Sequence, residues 1–171
     1  IMSDAEDSVF VVGNIGTPYT SKALEMKDSS TTVAEISSFQ LETIHEFHPQ
    51  ISAILNITPD HLNRHHTMDC YIKTKEAITT NQTKDEVCVL NYEDEVLRAF
   101  GESAPVHVVW FSSARKLAEG FYLDGEEIFY AHDGNTEKVI NVNDLNLLGR
   151  HNYENVMAAT AMSCLLYTSP S

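Results

Sequence analysis

Three places in this 171-residue sequence join a short apolar run to side chains that can do chemistry. Glu35 stands at the end of the run Thr31–Ile36, which is followed by Ser37, Ser38, Phe39 and Gln40. A carboxylate at a buried strand end needs a cation or hydrogen-bond donors, and metal ligation is one way to supply them. Ser37 and Gln40 stand three apart, which is also the spacing of a capping box that satisfies two helix N–H groups. Asp60 and His61 follow the run Ile51–Ile57 and offer oxygen and nitrogen donors suited to a divalent ion. Zinc fits poorly, because there are no Cys/His pairs at zinc spacing and no His-Glu-x-x-His. His65 and His66 come next, and loop histidines are ordinarily solvated. The third place is Gly13-Asn14-Ile15-Gly16, after Val9–Val12, where two glycines permit a tight turn and Asn14 adds an amide.

Two further groups sit on expected helices. Lys75 lies in Tyr71-Ile-Lys-Thr-Lys-Glu, where a lysine beside Glu76 reads as a solvated surface charge. His151-Asn152-Tyr153-Glu154-Asn155 opens the last helix and puts Asn152 and Asn155 three apart, facing the same way. An asparagine amide can meet adenine with a donor and an acceptor, and Asn152 could equally serve as an N-cap.

The elements that must position these residues alternate. Strands are expected over Val9–Val12, Thr31–Ile36, Ile51–Ile57, Val87–Asn91 and Val106–Phe111. Helices are expected between them over Tyr19–Met26, Phe39–Phe47, Met68–Thr80 and Glu95–Phe100, with a loop over Thr58–Thr67. Continuously apolar strands in βαβα order predict a parallel sheet with helices on both faces. The texture then changes: Asp124-Gly125 between two aromatic-rich runs signals a hairpin, continued by Val139–Leu148 as a small antiparallel flap. In such a sheet ligands gather where strands end and helices begin, and the three loops above fall there. The chain has no repeats and no Gly/Ser linker, so one compact unit is expected.

Charge narrows the partners. Eleven Lys and Arg against twenty-five Asp and Glu leave a net charge of −14, a field that repels nucleic-acid backbones. No apolar run reaches the ~18 residues of a membrane span, and the acidic start is unlike a signal peptide. Three cysteines without pattern suit a reducing, cytoplasmic setting.

Taken together, six motifs in order resemble the Mur ligases, the ATP-dependent amino-acid-adding enzymes of peptidoglycan synthesis. They are Gly13-Asn-Ile-Gly, Glu35-Ile-Ser-Ser-Phe-Gln-Leu-Glu, Asn56-Ile-Thr-x-Asp-His-Leu-x-Arg, Tyr71-x-x-x-Lys75, Val89-Leu-Asn-Tyr-Glu-Asp94 and Gly149-x-His-Asn-Tyr-x-Asn155. Ser-Ser-Phe-Gln-Leu-Glu is the string of the branch that adds D-glutamate. The resemblance implies a three-domain parent of which residues 1–163 are the central ATP-binding domain, a P-loop-type α/β fold. The family's P-loop precedes Gly-Asn-Ile-Gly, so the domain is expected to lack it here, and the piece alone to be inactive. Residues 164–171 are expected to be a non-native tail.

The chemistry so implied joins UDP-N-acetylmuramoyl-L-alanine to D-glutamate through an acyl phosphate, with ATP as substrate and Mg²⁺ as cofactor. Residue by residue, Glu35 and His61 resemble metal ligands, and Lys75 matches a lysine that becomes a metal-supporting carbamate, so His61 and Lys75 are the catalytic candidates. Asn14, Ser37 and Gln40 match substrate-contacting positions. Asn152, Asn155 and His151 match nucleotide contacts, and Asp60 stands behind His61. The competing readings are a folylpolyglutamate-type or other related ligase domain, and a non-catalytic module binding Mg²⁺ and nucleotide. Nothing in the sequence points to nucleic acid or membrane, and it is silent on oligomeric state.

Overall fold

A computed structural model describes residues 1–5 and 8–168. Glu6 and Asp7 of the acidic start, and residues 169–171 of the expected tail, lie outside the described residues. The chain divides into two compact units, residues 1–45 and 46–171, where the sequence reading expects one. The division follows hydrogen bonding, because the strands form two sheets instead of a single one.

The first unit holds helix α1 (Met2–Ala5), β1 (Val9–Gly13), α2 (Tyr19–Lys22), β2 (Thr31–Glu35) and α3 (Ser38–Leu41). Strands β1 and β2 pair in parallel, with Gly13 opposite Glu35. Helices α2 and α3 are shorter than their sequence patterns over Tyr19–Met26 and Phe39–Phe47. Leu24, beyond α2, is fully exposed, so a longer α2 would bury no apolar side chain there, and a short helix without packing is not stable. After α3 come the β-branched Thr43 and Ile44, which lose side-chain freedom in a helix.

The second unit contains β3 (Ile51–Ile54), α4 (Leu62–His65), α5 (Met68–Glu76), β4 (Val87–Asn91), α6 (Glu95–Gly101), β5 (His107–Ser112), β6 (Gly120–Asp124), β7 (Glu127–His132), β8 (Asn135–Asn141) and α7 (Arg150–Thr168). Its six strands lie in sequence order, β3 to β6 parallel and β6 to β8 antiparallel. This is the expected mostly parallel sheet with an antiparallel flap. Alternation along β4 sorts its side chains to two faces. Val87 and Val89 pack with Val109, Phe111 and the α7 residues Met157, Ala158, Ala161 and Leu165. Cys88 and Leu90 pack with Ile54, with Tyr71 of α5 and with Leu97 of α6. Each face therefore has its own helices.

Both hairpins use the backbone freedom of glycine. The β6–β7 loop is Gly125-Glu126, one residue later than the Asp-Gly pair suggested, with Gly125 at φ +61°. The β7–β8 loop is a second Asp-Gly pair that the sequence reading passed over. Asp133 and Gly134 have φ of +50° and +73°, the two positive values a tight two-residue turn of type I′ requires. Helix α7 continues through the segment expected to be a tail: Leu165 is buried in the core and Cys164 packs beside it.

Candidate functional site

In the first unit the site residues gather at the ends of β1 and β2. Gly13 has φ +128°, and a Cβ there would lie 2.1 Å from the Glu35 carbonyl oxygen, so only glycine lets the two strand ends meet this closely. Asn14 then binds Glu35 twice: its backbone N–H donates to the Glu35 carbonyl at 2.7 Å, and Nδ2 donates to Oε1 at 3.2 Å. The expectation of a buried Glu35 carboxylate needs correcting. Glu35 is exposed, because it ends the strand where the chain turns out to solvent. Asn14 supplies one donor, to Oε1.

Ser37 is the N-cap of α3. Gln40 N–H donates to Ser37 Oγ at 3.4 Å, and Ser37 N–H donates to Gln40 Oε1 at 2.9 Å. The reciprocal capping box is therefore in place, and it fixes both side chains beside the β2 exit.

The second unit presents the other group. After β3, Asp60 Oδ1 accepts the His61 N–H at 2.7 Å, and Asp60 Oδ2 lies 3.4 Å from His61 Nε2. His61 is left-handed, at φ +52°, and its imidazole is about half exposed at 47%. A positive φ on a bulky residue is uncommon and costs energy that the surroundings must offset. The loop expected over Thr58–Thr67 contains the one-turn helix α4. His65 is buried there instead of solvated, its ring 5.2 Å from that of Tyr71.

Lys75 is half-buried, not a free surface charge. Its Nζ lies 5.4 Å above the Tyr71 ring and donates to the Asn56 carbonyl at 3.5 Å, next to the β3 exit loop. That loop is held from the end of β4, through Asn91 and Asp94 of the motif Val89-Leu-Asn-Tyr-Glu-Asp94, to which the sequence assigns no role. Asn91 Nδ2 donates to the Leu55 carbonyl at 3.1 Å, and Asp94 Oδ2 accepts the Ile57 N–H at 2.7 Å. Asp94 Oδ1 also caps α6, accepting from Val96 and Leu97. A clue is present: Asn-x-x-Asp begins on the last residue of β4, after four apolar residues, and ends just before a helix.

Asn152 does not cap α7. It sits inside the first turn, its N–H bonded to the Gly149 carbonyl and its Nδ2 donating to the Leu148 carbonyl at 2.7 Å. His151 and Asn155 are exposed. The β5 exit also carries polar groups that the sequence reading missed. Glu93 binds Ser112 and Arg115, and its carboxyl lies below the ordinary value. Burial pushes it up, but the Arg115 and Ser112 hydrogen bonds and the Arg115 and Arg150 charges outweigh that.

Among the described residues no three His, Cys, Asp or Glu side chains cluster as a ready metal site. Glu35 offers an exposed carboxylate, the oxygen donor a hard divalent cation takes, and His61 offers a half-exposed imidazole, a borderline nitrogen donor. Glu35 belongs to the first unit, and His61 and Lys75 to the second.

A family model described as the Mur ligase middle domain matches residues 2–163. The chain belongs to that family. Among curated Mur ligase relatives, the UDP-N-acetylmuramoylalanine--D-glutamate ligase of Lachnospira eligens is 60% identical over 95% of this chain, and the enzyme of the same name in Lachnoclostridium phytofermentans is 54% identical over 97%. The chain spans only 36% and 37% of those two proteins. Solved Mur ligase structures agree in fold. A MurF ligase of Thermotoga maritima in complex with ADP superposes with a TM-score of 0.60, at 17% identity, over 98% of this chain and 41% of that one. A MurF of Acinetobacter baumannii gives 0.60 at 15% identity, over 98% and 44%. At such identities the likeness is one of fold. Among the described residues no helix is long and apolar enough to cross a membrane.

Proposed function

We propose that this chain is the central part of a cytoplasmic ligase of the MurD type. The whole protein would use ATP to join D-glutamate to UDP-N-acetylmuramoyl-L-alanine, through an acyl phosphate, in peptidoglycan synthesis. The observation that carries this reading is the 60% identity, along 95% of the chain, to a protein named for that reaction. The string Ser37-Ser-Phe-Gln-Leu-Glu42 supports the D-glutamate branch over its relatives.

In this reading Asn152, Asn155 and His151 meet the adenine of ATP. The Asn152 bond to the Leu148 carbonyl spends one amide hydrogen and leaves Oδ1 and the other hydrogen for the base. Asn14, Ser37 and Gln40 contact the muramoyl substrate, which their fixed cap and turn geometry prepares without further ordering cost. Glu35 in the first unit would be an Mg²⁺ ligand, and in the second unit His61 would be one too, with Lys75 supporting the metal as a carbamate. The ion's part is to neutralise phosphate charge as two anions approach. Lys75, held between the Tyr71 ring and the Asn56 carbonyl, has its amine next to the β3 exit loop that carries His61.

The test uses the whole protein. Phosphate release from ATP should require UDP-N-acetylmuramoyl-L-alanine and D-glutamate together, with L-alanine unable to replace D-glutamate. Glu35→Gln and His61→Ala should each lower turnover steeply with the fold intact. Lys75→Ala should lose activity and regain part of it in acetate, because a diffusible carboxylate replaces the carbamate. Ligation of another amino acid instead of D-glutamate would replace the branch assignment, and normal activity of Lys75→Ala would remove the carbamate.

A further inference from the structure

The end of β5 carries two adjacent serines, each bound to a glutamate that is answered by an arginine. Ser112 is fully buried and donates to Glu93 Oε1 at 2.6 Å. Arg115 closes that group with Nε and Nη2 at 2.9 and 2.7 Å from the two Glu93 oxygens. Ser113, also buried, donates to Glu154 Oε1 and accepts from Arg150 Nε at 2.8 Å. Arg150 Nε lies 4.0 Å from Glu154 Oε1, one helical turn away. The first group therefore fastens the β5 exit to the loop after β4, and the second fastens it to the opening turn of α7.

The turn's own polar restraints are local. It follows Gly149 at φ +99° and the exposed Leu148, the Asn152 and Tyr153 N–H groups bond the Gly149 carbonyl, and Asn152 Nδ2 bonds the Leu148 carbonyl. Arg150 and Glu154 lie one turn apart on the helix, and the interval between them holds His151 and Asn152, with Asn155 next in sequence. A bond from Ser113 to both ends of that interval sets the rotation and height of the turn against the sheet. Hydrogen bonds to charged groups are the stronger kind, and a buried serine has few competing rotamers once both partners are engaged.

We propose that Ser113, with Arg150 and Glu154, is a positioning device for the nucleotide, holding the α7 turn so that Asn152 and Asn155 face the base. The inference rests on the nucleotide reading given under Proposed function. Ser112 serves as the internal control, since its hydroxyl bonds Glu93 and the Ala114 and Arg115 N–H groups and none of these bonds reaches α7.

The experiment compares Ser113→Ala, Ser113→Thr, Ser112→Ala and Asn152→Ala. Amide exchange in the whole ligase should speed up roughly ten- to a hundredfold at Asn152 and Tyr153 in Ser113→Ala, the range set by loss of a charge-assisted hydrogen bond. Ser113→Thr, which keeps the hydroxyl, should restore protection, and Ser112→Ala should leave these two amides unchanged. In the whole ligase, Ser113→Ala should raise KM for ATP severalfold, Asn152→Ala should raise it as well, and Ser112→Ala should not. Glu154→Gln, which keeps a hydrogen bond and drops the charge, should fall between wild type and Ser113→Ala, and it serves if Ser113→Ala fails to fold. Equal exchange in the Ser112 and Ser113 variants overturns the inference. So does an unchanged KM for ATP in Ser113→Ala while Asn152→Ala raises it, an outcome that leaves the nucleotide reading standing. If Asn152→Ala also leaves that KM unchanged, the nucleotide reading falls and this inference with it.

Discussion

Replacing Asp94 by alanine removes three hydrogen bonds at once. One carboxylate oxygen caps α6 through the Val96 and Leu97 N–H groups at 3.0 and 3.1 Å, and the other accepts the Ile57 N–H at 2.7 Å. Loss of an N-cap costs about 1 kcal/mol. Ile57 is only 6% exposed, so its N–H has little water to turn to. Leaving such a donor unsatisfied costs about 1–3 kcal/mol. The two effects concern neighbouring groups on one side chain and need not add fully, so the expected loss for Asp94→Ala is about 2–4 kcal/mol. Asp94→Asn separates them. Asparagine caps as well as aspartate, but it has a single acceptor oxygen, so it keeps α6 and strands Ile57, at a cost of about 1–3 kcal/mol. Urea unfolding of the 171-residue chain is the assay, followed by the fluorescence of Trp110. This single tryptophan packs edge-on to Tyr92 at 5.4 Å, two residues from Asp94. The midpoint should fall in the order wild type, Asn, Ala, with the slope unchanged. A midpoint for Asp94→Ala within error of wild type would refute the claim that the β3 exit loop is held from the end of β4.

Acid titration gives a second expectation. Glu93 has its carboxyl held below the ordinary value of 4.5, so its stabilisation is complete above that pH and is lost as pH falls through the lower folded value. Glu93→Gln should flatten the acid limb of the stability curve below pH 4.5, and an unchanged limb would dismiss the Ser112–Glu93–Arg115 group as a source of stability. Burial pushes the Cys88 thiol up to about 11, whereas Cys70 is exposed. Iodoacetamide at pH near 8 should therefore label Cys70 and spare Cys88 until the chain is unfolded, as mass spectrometry of the peptides would show. Gly13→Ala would drive a methyl to 2.1 Å from the Glu35 carbonyl oxygen, at a φ that L-residues rarely adopt. Amide exchange at Asn14, whose N–H bonds that carbonyl at 2.7 Å, should lose its protection; retained protection would mean the strand ends are not in contact.

Local chemistry made much of this protein legible from its residues alone. Continuous apolar runs such as Val87–Leu90 announce strands buried on both faces, because nothing else gives such side chains two apolar surroundings. The capping box at Ser37 and Gln40 and the glycine of Gly13-Asn14 are short-range rules, written within a few residues. The order of six motifs was enough to suggest the family that the comparisons then showed. Other features needed the fold. His65 reads as a solvated loop residue and is buried, because Tyr71 from the next helix covers it. Lys75 reads as a surface charge, yet it rests on that same ring and reaches the Asn56 carbonyl, 19 residues back in the chain. Asp94 lies 37 residues from Ile57, and Ser113 lies 41 from Glu154. Parallel pairing brings the exits of β3, β4 and β5 to one edge, and only there do these distant polar groups become each other's nearest partners. Periodicity along a chain encodes which face a side chain takes. The partner it finds on that face depends on strand order and register, which are set by the burial of the whole sheet.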